Sequence, residues 1–377
     1  MPETTSVPDH SLRDNTDAVS PSSQVARTEA QLQDSKRPPQ DIGNTPRVLF
    51  DTTWVRCGGG ISRVSEELRS RWPHVQDIDS GPTGPSPLRP FWLAASLFPY
   101  RSGVFFSPGF MPPAFCQIPF VFMLHDLHHV SMIDESSRGR RAFYELLIKP
   151  RARSAASIVT VSNHSKSEIL AWTGIDEERV VVAYNGVSSE FTPEGERASG
   201  EGDYILYVGN QKPHKNVPAL IDAYCHLPSD GRPKLLLTGK PTRPIRCQID
   251  RLRLTNSVGF LGHVSDEGLA ALYRGALLLA IPSLNEGFGL PAVEAMASGC
   301  PTVCSNTGAL PEIVGDAGCF CDPFSSESIS SAMLRVLSDS KLREQLRQNG
   351  IERSRMFRWD RFASEVYESV VRAFEID

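Results

Sequence analysis

The segment Glu286-Gly287-Phe288-Gly289-Leu290-Pro291-Ala292-Val293-Glu294 places two acids on either side of two glycines and a proline. The apolar run before it predicts a strand ending near Ile281. Pro291 suits the first position of a helix, where its missing N–H costs nothing, and Gly299 suits its end. Such a helix directs its N-terminal amides and positive dipole end toward whatever lies before it, which makes an anion site that a diphosphate fits. Gly287 and Gly289 permit close backbone approach. Glu286 and Glu294 then project from the turn and from the first helical turns. Carboxylates accept hydrogen bonds in pairs, which suits vicinal hydroxyls. Either acid alone reads as a solvated surface group; the ordered combination does not.

Three further groups have the chemistry to join this site. Lys215, in Val208-Gly-Asn-Gln-Lys-Pro-His-Lys-Asn-Val217, offers a cation to a diphosphate just before a helix, and Asn210 lies in the same turn. His125 ends the buried apolar run Phe120–Leu124, where a residue facing a cleft belongs. Asp126 beside it either orients the imidazole or caps the turn. Gly58, Gly59 and Gly60 form a turn ahead of a helix that carries Arg63. Metal ligation is a weak expectation at both places that suggest it, the Asp77-Ile-Asp79 pair and the histidines His128 and His129.

These groups require a scaffold that repeats strand, turn and helix. Arg47–Asp51 reads as a buried strand, then the glycine turn, then a helix with Val64, Leu68 and Trp72 at helical spacing. Further strands are expected at Gly103–Phe106, Phe120–Leu124, Ser157–Val161 and Val180–Ala183. The proline-rich Ser80–Pro90 is expected to be a loop. Polar, breaker-rich residues 192–202 mark a boundary, after which the pattern restarts at Tyr204–Gly209. It continues at Lys234–Thr238, Val258–Leu261, Leu277–Ile281 and Thr302–Cys304. The expectation is an α/β protein of two facing Rossmann-like domains with the site in the cleft between them. The divisions are a disordered tail over 1–46, a first domain over 47–191, a second over 203–355 and a closing helical segment over 356–377. On that segment Phe362, Val366, Val370 and Phe374 share one face.

Composition narrows the function. A net charge of -5 argues against a general nucleic-acid binder. The eight cysteines lack metal-site spacing and read as free thiols, with Cys319 and Cys321 on one face of a strand. No run reaches membrane-span length and no signal-peptide core is present, so the expected location is cytoplasmic. A basic cluster from Arg138 to Arg153 is the one sequence feature that suggests peripheral contact with the inner membrane face.

The Glu286-to-Glu294 segment resembles the Glu-x7-Glu signature of the family 4 retaining glycosyltransferases. Ala292–Pro301 and Ser305–Glu312 fit the same pattern, and the resemblance extends over about residues 47–375. In its phrasing the chain looks similar to mannosyltransferases of bacterial O-antigen and exopolysaccharide assembly. The resemblance implies the GT-B fold, with the acceptor on the first domain and the nucleotide-sugar on the second. It implies that Glu286 holds hydroxyls of the transferred sugar and Glu294 the ribose. Backbone amides of Phe288, Gly289 and Leu290 would meet sugar or phosphate, with Gly59 and Gly60 near the donor phosphate. His125 would approach the anomeric carbon and Lys215 the leaving diphosphate. The family usually has Arg before that lysine; here it is His214, which leaves one of two customary cations unassigned. Ser162-Asn163-His164-Ser165 also fits the family, as local order or acceptor contact, and Glu312 reads as structural. The implied donor is GDP-mannose first, with a UDP-sugar or another activated sugar as the alternative, and with no metal and no further cofactor; the acceptor is a saccharide, lipid-linked at the membrane face. Two alternatives are a nucleotide-sugar epimerase of this fold and a non-catalytic sugar-binding subunit.

Overall fold

The computed structural model describes residues 46–79, 81, 86–127, 138–198 and 202–375. The expectations for the 1–46 tail and for His128 and His129 lie outside the described residues, apart from Pro46.

Two six-stranded parallel sheets organise the chain. The first comprises β1 (Val48–Asp51), β2 (Gln76–Ile78), β3 (Val104–Ser107), β4 (Phe120–Met123), β5 (Ser157–Thr160) and β6 (Val180–Val182), in the order β2-β1-β3-β4-β5-β6. The second comprises β7 (Tyr204–Tyr207), β8 (Lys234–Leu237), β9 (Val258–Phe260), β10 (Leu278–Ile281), β11 (Thr302–Ser305) and β12 (Gly318–Cys321), in the order β12-β11-β10-β7-β8-β9. Strands β1, β3, β4, β5, β7, β10 and β11 are buried throughout, as strands covered by helices on both faces must be, whereas the edge strands β2, β6, β9 and β12 are partly exposed. The second order is the doubly wound arrangement that reverses direction between β7 and β10; the first reverses between β1 and β3. At such reversals the loops leaving the strand ends splay apart and open a crevice. The loops after β1, β7 and β10 carry Gly58–Gly60, Lys215 and Glu286, so the topology alone collects most of the expected site.

Some elements differ from the sequence reading. The sequence pattern does not indicate the short strand β2; its Asp77 carboxylate is held by Arg69 at 2.6 and 3.2 Å, and Asp79 Oδ1 accepts from Gly81 N at 3.3 Å. The Ser80–Pro90 loop ends early, because a helix spans Arg89–Leu97 with Pro90 in its first turn. The last helix, Trp359–Glu375, crosses back onto the first sheet. Trp72 Nε1 donates to Ala363 O at 3.2 Å, and Ser369 Oγ donates to Ser157 Oγ at 2.9 Å. Phe362, Val366 and Val370 are buried there, whereas Phe374 is partly exposed near the helix end.

All eight cysteines are free thiols, and Cys319 and Cys321 share the buried face of β12. Among the described residues no helix is long and apolar enough to cross a membrane.

Candidate active site between the two sheets

Glu286 sits in the loop after β10, and its carboxylate accepts three hydrogen bonds, which leaves acceptor capacity over. Lys215 Nζ donates to Oε1 at 2.7 Å and to Oε2 at 2.8 Å, and Ser283 Oγ donates to Oε1 at 2.6 Å. The lysine reaches it because the short 3-10 turn Pro213–Lys215 is pinned to the same loop: Leu284 N donates to His214 O at 2.7 Å. Asn216, in the left-handed region, donates through Nδ2 to Pro282 O and Pro323 O. An ammonium has three N–H donors; two go to Glu286, and the third remains for another acceptor. Nearby, Tyr207 donates to Asn210 O at 2.6 Å, and burial together with the Glu286 charge raises the tyrosine pKa. Asn210 Oδ1 accepts from Lys212 N, so this side chain shapes its own turn.

The following helix, Leu290–Ala297, starts at Gly289, whose φ of +98° lies in the left-handed region, and no side chain caps it. A Cβ at Gly289 would also stand 2.7 Å from Leu310 Cδ2. The Phe288 ring is buried and packs edge-on against Phe357 at 5.6 Å. Only its backbone is therefore available to a ligand.

Glu294 lies one turn into this helix, with 6% of its surface exposed. Arg63 Nη1 lies 3.1 Å from Oε1, and Tyr273 OH donates to Oε2 at 3.0 Å. Arg63 also pairs with Asp266 and lies over the Phe191 ring. Burial pushes the Glu294 pKa up to about 7, against the opposing pull of Arg63 and Tyr273.

The first sheet contributes two contacts directly at this loop. A Cβ at Gly60 would lie 3.6 Å from Leu290 Cδ1, so the first glycine turn abuts the start of the site helix. A Cβ at Gly287 would stand 2.6 Å from His125 O. Gly287 is thus a glycine because the other sheet's backbone occupies the space a side chain needs. Gly58 and Gly59 adopt φ of +72° and +76°. His125 Nε2 lies 2.9 Å from Pro108 O; a carbonyl only accepts, so Nε2 carries the proton and Nδ1 is the ring's acceptor. Burial lowers the His125 pKa, keeping the ring neutral. The imidazole is therefore oriented by Pro108, and the Asp126 charge opposes the lowering of its pKa.

Ser162 and Glu312 hold the two halves together. Ser162 caps the Asn163–Thr173 helix by accepting from Ser165 N at 3.0 Å and donates to Gly287 O at 2.7 Å. Glu312, from the second half, accepts from Asn163 N at 2.8 Å, His164 N at 3.0 Å and Tyr184 OH at 2.7 Å. Sequence reasoning missed Ser283 and Tyr273, whose types carry no signal before the fold brings them to the two acids. Of the basic cluster, Lys149 pairs with Glu145, Arg151 donates to Pro113 O, Arg153 donates to Thr173 O, and Arg141 is exposed; the side chains of Arg138 and Arg140 lie outside the described residues.

Comparison with known proteins places the chain in a family. Residues 58–191 match the family model "Glycosyltransferase Family 4", and residues 188–353 match "Glycosyl transferases group 1". The chain is 32% identical over 288 residues to O-antigen chain mannosyltransferase B of Escherichia coli, covering 72% of this chain and 75% of that protein. It is 30% identical over 303 residues to O-antigen chain mannosyltransferase RfbU of Salmonella typhimurium, covering 77% and 83%. Among solved structures, sucrose-phosphate synthase of Thermosynechococcus elongatus superposes with a TM-score of 0.70 at 19% identity, over 89% of this chain and 100% of that one. The fold is thus GT-B, and the chain belongs to the family 4 glycosyltransferases.

Proposed function

We propose that the protein transfers a hexose, mannose in the favoured case, from a nucleoside-diphosphate sugar to a lipid-linked saccharide, with retention of anomeric configuration. The observation that carries this reading is the Lys215–Glu286 pair, set beside the uncapped start of the Leu290–Ala297 helix and against His125. The donor diphosphate takes the third Lys215 donor and the helix amides, so its charge needs no divalent ion. Glu286 accepts from sugar hydroxyls, Glu294 from the ribose, and Nδ1 of the neutral His125 faces the sugar as an acceptor. The backbones of Gly59, Gly60, Phe288, Gly289 and Leu290 line the donor, and Asn210 shapes the turn that holds Lys215.

In the transfer, the bond from the anomeric carbon to the phosphate oxygen breaks and the bond to the acceptor oxygen forms on the same face. The acceptor proton passes to the leaving diphosphate. The protein acts by positioning and by charge stabilisation, and closure of the two halves limits hydrolysis of the donor. Mannose is favoured by the two O-antigen mannosyltransferases that the chain resembles.

The test combines thermal shift with GDP-mannose and a panel of UDP-sugars and a measurement of slow nucleotide release from the donor. Stabilisation by GDP-mannose, with release lost in Lys215→Met and Glu286→Ala, is expected. Undiminished release in both variants overturns the site, and selective stabilisation by a UDP-sugar overturns the choice of donor.

A further inference from the structure

The Arg89–Leu97 helix turns an apolar face outward. Leu88, Phe91, Trp92, Ala95 and Phe98 follow the spacing of one helix face, and all are exposed, Trp92 to 50% and Phe98 to 61%. Leu93 and Leu97 on the opposite face are buried against the sheet. A surface helix ordinarily presents polar residues outward. Phe115 extends the patch, because Ala114 N donates to Pro90 O at 2.7 Å and so brings this exposed ring to the helix start. Large contiguous apolar surface of this kind marks a site of contact.

Charge indicates what the patch meets. The chain carries a net charge of -5, yet no Asp or Glu occurs between Asp79 and Asp126. Two exposed guanidiniums border the stripe: Arg101 lies over the Phe98 ring at 5.2 Å and donates through Nη1 to Phe98 O, and Arg47 lies over the Tyr100 ring at 5.1 Å and donates to Gln76 Oε1; each guanidinium has further N–H groups beyond these bonds. Exposed aromatic rings edged by two arginines fit the headgroup region of an anionic bilayer, with one carboxylate near them, that of Asp79, which accepts from Gly81 N beside Trp92.

The position is also informative. Arg89 is buried under the Trp54 ring at 4.6 Å and lies 3.8 Å from Asp51, the last residue of β1. The stripe therefore begins at the strand ends from which the cleft loops rise. The loop to Phe115 leaves from Pro108, which accepts the His125 hydrogen bond.

We propose that this face docks the protein on an anionic lipid surface, with Phe91, Trp92 and Phe98 at the headgroup boundary and Arg47 and Arg101 on lipid phosphates. Docking there sets the cleft mouth beside the bilayer, where a lipid-carried acceptor ends. Only this last purpose rests on the proposed reaction; the docking does not.

The test is flotation of the full chain, without donor, on vesicles of phosphatidylcholine alone and of phosphatidylcholine mixed with phosphatidylglycerol. The expected result is salt-sensitive binding to the anionic vesicles, with a blue shift of tryptophan fluorescence. Phe91→Ser/Trp92→Ser weakens binding about tenfold or more, while Phe324→Ser, an exposed ring of the second half, leaves it unchanged. Nucleotide release from the donor is unchanged in both. The proposal fails if the unaltered protein floats with neither vesicle, or if the double variant floats equally well. It also fails if the unaltered protein is a dimer that the double variant dissociates, since the face then joins two copies. Vesicle binding without any donor turnover leaves the docking intact and removes the reaction.

Discussion

Arg63 Nη1 and Glu294 Oε1 lie 3.1 Å apart, joining the opening helix of the first half to the site helix of the second. The carboxylate is almost fully enclosed, and burial raises its pKa to about 7 despite the guanidinium. A raised folded-state pKa means that the native chain binds more protons than the unfolded chain between about pH 4.5 and 7. Stability supplied by the protonated form is present below this window and is lost as pH rises through it, by about 3 kcal/mol at most. Glu294→Gln removes the titration. Chemical denaturation of both proteins should therefore show the variant gaining on the parent from pH 5 to pH 7.5. A constant difference would mean that Glu294 does not titrate in this range.

Arg63→Ala should act through the same carboxylate. Without the guanidinium, Glu294 loses the charge that pulls its pKa down, and it resists ionisation further. The cost should be small at pH 6, where the acid holds its proton, and about 1–3 kcal/mol at pH 8, less than a fully buried broken pair because the carboxyl can neutralise itself. Arg63→Lys should recover part of the loss. Urea melts at the two pH values decide the matter. An equal cost at both would assign Arg63 a packing role on Phe191 and not an electrostatic one.

The sequence made the Glu286–Glu294 segment legible because its constraints are local: a strand end, two glycines, a proline and a helix fix one another over a few residues. The longer buried strands were legible as apolar runs. β2 was not, since Gln76-Asp77-Ile78 is short and mostly polar and pairs only along one edge. The partners of the two acids were hidden for a different reason. Arg63 reaches Glu294 from the other half of the chain, and Lys215 reaches Glu286 only because Leu284 N holds its turn. Within the basic cluster, charge in the sequence could not show that Glu145, Pro113 and Thr173 take up donors of Lys149, Arg151 and Arg153.

Gly287→Ala tests the contact between the halves. The added Cβ would meet His125 O at 2.6 Å and Asp126 Cβ at 2.9 Å, and the carbonyl is backbone that cannot rotate away. The loop must withdraw or the halves must part by a fraction of an ångström. Because Glu286 moves with that loop, turnover should fall about 10- to 100-fold, as misplacement of reacting groups on this scale does. The melting temperature should shift by only a few degrees. Steady-state kinetics with the accepted donor check this. Full turnover would show that the contact with His125 is not maintained during the reaction.

Glu312→Gln should loosen the same junction from a second point. The Glu312 carboxylate satisfies the first two N–H groups of the Asn163–Thr173 helix and accepts from Tyr184, while Ser162 serves the third N–H. Burial opposes its charge, but these hydrogen bonds outweigh it and hold the pKa below the usual range. Burial and the adjacent Glu312 charge raise the Tyr184 hydroxyl to about 12. A depressed carboxylate stabilises above its unfolded pKa, and that contribution is lost as pH falls through the folded value. The amide keeps one acceptor oxygen but loses the charge that favours a helix N-terminus, and its NH2 faces donors. The expected cost is about 1–3 kcal/mol at neutral pH, shrinking in acid. Amide exchange at Asn163 and His164 should quicken while exchange within β7 and β10 stays slow. Unchanged protection at the helix start would show that Ser162 alone suffices to cap it and that Glu312 does not bind the halves together.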